Sequence, residues 1–532
     1  MIQLEKEIRK DAPLKSTIRQ IKSILKKNKI KFKEKGFKCL NGFFSGRIAL
    51  DDCIGTNGKG ITKSQAKASA YAELIERLQS NMLYRKTKEK KPHIINRNNK
   101  YINIILKTAS QQFKEEFYKL DDTYFFEDEF EDLLSKQVEN LPISVINYAC
   151  HTNGLAAGNS KDEACVQAIC EVLERYLYKK ILSCNVSTKI VIDYEKILTQ
   201  NNKKILGIIC KEGYKFEVRY CTDFCYPVIA FVLYNKEHTK YMFTLASDIN
   251  FNIALQRAIT EMFQGRNIKN INNQMLDKNL NIEELANIYK YDYYSYNWLL
   301  CFNYNCGLIP KSAFSLEKVS FEDLSFNNYI NSNTKALEWL KSRIDSHIYV
   351  KDYNVLGFDT VRVYIPGLSE IDNFDQCDLI ISKNKEKLKN IFLDILNQSD
   401  ENINFFLDNI WELCKHIKYQ NLILPKNFFK VEGTTKYFQL TFTSLAIILS
   451  AIVKRKKELI DLLQFQIDNF PLSLKARENN LYIISLLQDQ PLTLKNKNLK
   501  KYYKNLFLNP KKYLKSLNPK VKIIESRLFN KI

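Results

Sequence analysis

No stretch of this chain is both long and apolar enough to cross a bilayer. The best candidate, Leu440–Val453, falls short of the ~20 residues that a membrane-spanning helix takes, and Thr441, Thr443 and Ser444 interrupt it. A buried helix is expected there, with no membrane partner. Cysteines at the two-residue gap of a zinc knuckle or redox motif are missing as well. The closest pairs are Cys221/Cys225 and Cys301/Cys306, and none of the five histidines forms a spaced pair. A zinc or cysteine–histidine centre is therefore not expected. The opening residues Met1-Ile2-Gln3-Leu4-Glu5 lack the character of a signal peptide, and thirteen cysteines are an odd number. Both point to free thiols in a reducing cytoplasm. A Walker A loop is also absent: Gly58-Lys59-Gly60 lacks its four-residue gap and its closing Lys-Ser/Thr pair.

Acidic residues are the scarcer charge, 59 against 81 lysines and arginines, for a net charge of +22. One reading is an acidic partner such as RNA or the ribosome. The other is composition: a chain crowded with Lys, Asn, Ile, Tyr and Phe is what an AT-rich coding sequence yields. The excess is densest from Lys495 to Lys531, where Glu525 is the only acid.

At 532 residues the chain exceeds one hydrophobic core, so two or more domains are expected. The pattern predicts a helix over Leu14–Lys27 and a strand near Gly46–Leu50. It predicts further strands at Phe216–Tyr220, Pro227–Tyr234, Lys240–Ser247, Ile348–Tyr353 and Val361–Ile365, with a helix from about Phe251 to Arg266. Residues 83–140 carry no usable motif and read as an elaboration. After Ser399 the texture turns helical, over 402–420, 439–467 and 473–487. The fold expected is α+β: mixed and antiparallel sheets with packed helices over residues 1–395, plus an all-α C-terminal domain over 400–532, of tandem-hairpin (TPR-like) type.

The most informative feature is a repeat. Thr56-Asn57-Gly58 leads into a helix ending Glu73-Leu-Ile-Glu76-Arg77, and Thr152-Asn153-Gly154 leads into one ending Glu171-Val-Leu-Glu174-Arg175. Each opening reads as a glycine-bearing turn. Each helix start carries a capping-box pattern, Thr62-Lys-Ser-Gln65 and Ser160-Lys-Asp-Glu163. Carboxylates three apart lie on one helical face. Two such pairs repel unless cations sit between them, and magnesium on clustered glutamates commonly accompanies a bound triphosphate. The first pair alone reads better as a solvated face. The second sits in the apolar run Ala164–Leu173, where glutamates are costly unless paired or metal-bound. Asn159 and Gln167 extend this polar set. Arg257 and Glu261, four apart, form either a surface pair or an addition to the same centre. Lys10 and Thr17, seven apart, suggest two turns of a basic helix face.

Together these motifs resemble the YcaO family. The match runs from Gly58-Lys-Gly60 through Ser69, Glu73 and Glu76-Arg77, and from Thr152 through Asn159 to Glu171, Glu174 and Arg175. Arg257-Ala-Ile-Thr-Glu261-Met-Phe-Gln264-Gly-Arg266 and Val363-Tyr-Ile-Pro-Gly367 complete it. It covers roughly residues 1–395 and looks most similar to stand-alone members with a helical C-terminal domain. The resemblance implies ATP and Mg2+ as cofactors, with Glu73, Glu76, Glu171, Glu174 and Glu261 dividing magnesium binding. It implies nucleotide contacts from Lys10, Thr17, Ser69, Asn159, Glu163, Arg175 and Arg257, and assigns no catalytic residue.

Family members phosphorylate the oxygen of a peptide-backbone amide, making it a leaving group for a nucleophile. The expected substrate is a peptide or a ribosomal protein. The chain lacks the proline-rich C-terminal tail common among azoline formers and any evident fused peptide-recognition module. The weight therefore falls on an accessory factor for β-methylthiolation of small-subunit ribosomal protein 12, beside a radical-SAM methylthiotransferase partner. A peptide cyclodehydratase or thioamide synthetase is the alternative. A non-catalytic nucleotide-binding scaffold is a third reading, disfavoured by the full set of carboxylates. A homodimer is expected from relatives.

Overall fold

The computed structural model describes residues 9–50, 55–80, 100–107, 111–119, 127–182, 186–221, 225–278, 313–371, 376–414, 425, 437, 440–469, 474–488 and 509–517. Helix α1 (Leu14–Lys27) precedes three antiparallel strands in the order β1 (Lys33–Leu40), β2 (Phe43–Ala49), β3 (Gly55–Gly60). Helix α2 (Lys63–Gln79) lies across this sheet and buries Ala66, Ala70, Leu74 and Leu78 beside Ile21 and Leu25 of α1. The Thr62–Gln65 capping box forms in full and fixes the start of α2. The expected turn at Thr56-Asn57-Gly58 is instead strand β3. Its glycine serves close approach: a Cβ at Gly58 would stand 2.0 Å from the Ala66 carbonyl oxygen and 2.6 Å from the Ala70 nitrogen.

Two short helices follow, α3 (Lys100–Ile105) and α4 (Gln111–Tyr118), then β4 (Asp128–Asp132), β5 (Val138–Leu141), α5 (Ile143–Cys150) and β6 (Leu155–Ala157). In the second repeat unit the turn does form: Gly154 has φ +79. Helix α6 (Lys161–Leu182) leads to β7 (Thr188–Ile192), α7 (Gln200–Lys211), β8 (Lys215–Cys221), β9 (Val228–Tyr234), β10 (Lys240–Ser247) and α8 (Phe251–Met262). Then come β11 (Leu276–Asp277), β12 (Phe314–Ser320), α9 (Asn333–Lys341), β13 (Tyr349–Asp352) and β14 (Thr360–Tyr364).

A six-stranded mixed sheet has the order β11-β10-β9-β8-β7-β12, with β12 parallel to β7. A five-stranded antiparallel sheet has the order β5-β4-β13-β14-β6. Every residue of β9 is buried. Val228, Ala230 and Val232 join the core that contains α6, and Ile229, Phe231 and Leu233 join the core of α7 and α8. A strand covered on both faces reads as an unbroken apolar run, which is why it was legible in sequence.

From Gln376 onward the described elements are helices: α10 (Gln376–Leu393), α11 (Asp400–Cys414), α12 (Phe442–Ile452), α13 (Lys456–Asn469), α14 (Leu474–Leu487) and α15 (Pro510–Ser516). They share a hydrophobic cluster running from Leu388 to Leu517. The single helix expected over 439–467 is two helices. Lys454 adopts φ +60 between them, and the Arg455 N–H donates to the Ser450 carbonyl at 2.9 Å. The expected helix over 402–420 is described as far as Cys414, and the basic stretch Lys495–Lys531 lies outside the described residues except for 509–517. Among the described residues no helix is long and apolar enough to cross a membrane.

Candidate functional site

Helix α6 carries Glu163, Gln167, Glu171 and Glu174 at intervals of four, four and three residues. At 1.5 Å per residue this polar stripe runs about 16 Å along an otherwise apolar helix. Its N-terminal end meets the start of the chain. Glu163, 6% exposed, accepts from the Lys10 ammonium at 2.9 Å, the Asp11 N–H at 3.1 Å and the Asn159 amide at 3.0 and 3.2 Å. The Thr17 hydroxyl of α1 donates to Asn159 Oδ1 at 2.7 Å.

Lys10, Thr17, Asn159 and Glu163 thus form one network, but not as sequence spacing suggests. Pro13 caps α1, so Lys10 lies in the bend before the helix and not two turns along it. The second capping box is altered in the same way. The Ser160 hydroxyl accepts from the Glu163 N–H at 3.1 Å, while the Glu163 carboxylate goes to the Lys10 network.

The other end of the stripe gathers the charges. On α2 the Arg77 Nε stands 3.3 Å from Glu76 Oε1, and its terminal nitrogen 3.9 Å from Glu73 Oε1. Ser69 sits half-buried one turn before Glu73. On α8, Arg257 donates to Gln167 Oε1 at 2.8 Å, and Glu261 forms an ion pair with Lys59 of β3.

Burial raises the Glu76 carboxyl to about 8; Arg77 and Arg362 oppose this, while Glu171 and Glu73 add to it. Glu171 is raised too, mainly by burial, with Arg175, Arg77 and Arg257 opposing and Glu174 adding. Burial and the repulsion of Arg257 push the Lys59 ammonium down to about 8, against Glu174 and Glu73. The five carboxylates therefore share one electrostatic neighbourhood with Lys59, Arg77, Arg175 and Arg257, across three helices and a strand.

Lys59, Arg77 and Arg362 also enter this electrostatic neighbourhood, and sequence reasoning left them off the site. Lys59 and Arg77 stood inside the recognised motifs. Arg362 is 1% exposed on β14, where it donates to the His151 carbonyl at 2.7 Å and the Asn153 carbonyl at 3.5 Å. Its signal was a lone charge inside the apolar strand Val361-Arg-Val-Tyr-Ile365.

This donor set suits magnesium. Mg2+ takes hard oxygen ligands and usually draws on one or two carboxylates, with phosphate oxygens and water completing its shell. Among the described residues no three His, Cys, Asp or Glu side chains converge closely enough to hold an ion by themselves. The carboxylates fit as part of a shell shared with phosphate, with Glu76 and Glu171 the most strained by burial of like charge.

The curated relatives include the ribosomal protein S12 methylthiotransferase accessory factor YcaO of Escherichia coli, 28% identical over 59% of this chain and 57% of that protein. A protein of Haemophilus influenzae without assigned function is 29% identical over 49% of this chain and 44% of its own length. The chain thus spans about half the length of the curated relatives it matches. Among solved structures, YcaO from Methanopyrus kandleri bound with AMPPCP and Mg2+ aligns at a TM-score of 0.46 and 18% identity, over 69% of this chain and 96% of that one. A heterocyclase in complex with substrate and cofactor aligns at a TM-score of 0.46 and 15% identity, over 71% and 56%. A model of the YcaO cyclodehydratase family, described as ATP- and Mg2+-binding, matches residues 57–369, from the strand that bears Lys59 to just past the Pro366-Gly367 turn. The chain belongs to the YcaO family, whose cofactors are ATP and Mg2+.

Proposed function

We propose that the chain uses Mg-ATP to activate a peptide-backbone amide by phosphorylating its oxygen, as an accessory factor for β-methylthiolation of small-subunit ribosomal protein 12. The observation that carries the reading is the one electrostatic neighbourhood shared by Glu73 and Glu76, Glu171 and Glu174, and Glu261 from three separate helices with Lys59, Arg77 and Arg257. Part-buried like charges held this near one another cost a fold stability, which bound cations and phosphates would offset.

In this reading residues 1–395 form the ATP-dependent unit and 400–532 a helical unit beside it. ATP supplies the phosphoryl group, and magnesium offsets its charge. Lys10, Thr17, Ser69, Asn159, Glu163, Arg175 and Arg257 orient the nucleotide along the α6 stripe. Glu73, Glu76, Glu171, Glu174 and Glu261 hold the metal. Burial of the site limits water, which would otherwise compete for the phosphoryl group. The Escherichia coli relative's name supports the ribosomal protein as substrate and a methylthiotransferase as partner. The family's own description favours a second reading, a peptide cyclodehydratase.

The test is ATP binding and slow phosphate release by the purified chain with Mg2+, beside a Glu171→Gln/Glu174→Gln variant. Turnover is expected in the parent, stimulated by a peptide from ribosomal protein 12, and lost in the variant. No nucleotide binding in either form would overturn the reading.

A further inference from the structure

The sheet formed by β1, β2 and β3 has two unlike faces. Gly58, Ile48 and Phe37 lie on the inner face against α1 and α2. Glu34 points the same way, 2.7 Å from Lys22 and 2.8 Å from the Tyr71 hydroxyl. The outer face is basic. Residues paired across antiparallel strands share a face. The register aligns Lys38 with Ser45 and Ser45 with Lys59, and aligns Lys35 with Arg47 and Arg47 with Asn57.

Lys35 and Lys38 are three apart, which in a regular strand puts them on opposite faces. The register shift between them inserts one extra residue, at Gly36 (φ +87) and Phe37 (φ +24), so both lysines point outward and only Phe37 turns in. Lys33, Lys35, Lys38 and Asn57 are exposed. Strands stand about 4.8 Å apart, so Lys38 lies about 10 Å from Lys59 along this face. Lys59 itself reaches Glu261 at the centre of the site. The basic face is therefore continuous with the place where the amide must react.

The charge is local and does not follow chain-wide composition. Within β1, β2 and β3 there are five lysines and arginines, Lys33, Lys35, Lys38, Arg47 and Lys59, and one acid, Glu34, which points inward, whereas the whole chain has 81 against 59. Among the described residues, the aromatic that shares this strand face, Phe43, is 3% exposed and stacked on Phe263, so it offers no open ring to a base, which favours a peptide over single-stranded RNA. Resting on the amide-activating function above, we propose that this face docks an acidic segment of the polypeptide substrate and leads the neighbouring amide toward Lys59.

The test measures anisotropy of a fluorescent alternating Asp/Glu peptide, a Lys-rich peptide and a single-stranded RNA with the intact chain, at low and moderate salt. Lys35→Gln/Lys38→Gln is compared with Lys26→Gln/Lys27→Gln, two exposed lysines at the end of α1 on the other side of the sheet. The acidic peptide should bind, weaken with salt, and lose roughly five- to tenfold in affinity in the first variant and not in the second. Equal loss in both variants, no binding of the acidic peptide, or RNA displacing it through Lys35 and Lys38 would each overturn the proposal. ATP affinity measured on the same preparations separates the two readings: its absence would defeat the amide-activating function, whereas its presence without peptide binding would defeat the docking face alone.

Discussion

Lys10 and Glu163, 153 residues apart in sequence, are joined at 2.9 Å where the N-terminal segment crosses the start of α6. Lys10 is 42% exposed, so the pair adds little to folding, about 1 kcal/mol at most. Its value is positional. Lys10→Ala should leave the melting temperature nearly unchanged while raising the Kd for ATP about tenfold, by calorimetric titration. Thr17→Val should behave differently, because it strips a buried donor from Asn159 and should cost about 1–2 kcal/mol of stability.

With Glu76 in the proposed metal shell, loading of the site is expected to depend on pH. Its folded carboxyl is raised from an ordinary 4.5 to about 8, so the stability it contributes is full below 4.5 and is lost as pH rises through 8. Glu76→Gln should flatten the fall in stability over that window, by chemical denaturation at a series of pH values. A metal needs the carboxylate form. Mg2+ affinity should therefore rise with pH up to about 8, by as much as about tenfold per unit, with proton release on binding. A flat Mg2+ affinity across pH 5–8 would remove Glu76 from the shell.

Lys59 pairs with Glu261 and also feels Glu174 and Glu73, so in the proposed function it competes with metal for the same carboxylates. Lys59→Met should tighten binding of Mg2+ alone by a few-fold yet lower ATP turnover about a hundredfold, because a positive charge over the phosphates is gone. Parallel loss of both would mark the residue as structural.

Two glycines separate close approach from mere flexibility. Gly58→Ala forces a Cβ to within 2.0 Å of the Ala66 carbonyl and should cost about 3 kcal/mol as β3 and α2 move apart. Gly207 lies in α7, where a Cβ would meet nothing within 4 Å, so Gly207→Ala should stabilise by about 0.5–1 kcal/mol. Thermal denaturation of the two variants reads both signs.

Several elements were legible because their signals are local. The capping box at Thr62, the apolar run of β9, the carboxylates three apart on α2 and α6, and the ordered family motifs all follow from short-range spacing. The helix break at Lys454 was not legible, since its backbone conformation has no strong signal in a lysine. Neither was the role of Thr56-Asn57-Gly58, where glycine suits a turn and a tightly packed strand equally well in sequence.

Residue order on its own established which side chains were available for the chemistry, on which helices, and in which family; helical periodicity and motif order do not depend on the rest of the chain. Which charges meet was settled by packing. Only the folded chain brings Lys59 to Glu261 and Lys10 to Glu163, and only the bulge at Gly36 turns Lys35 and Lys38 to one face. Electrostatic coupling depends on separation in space and on burial, and strand register and helix docking set both together.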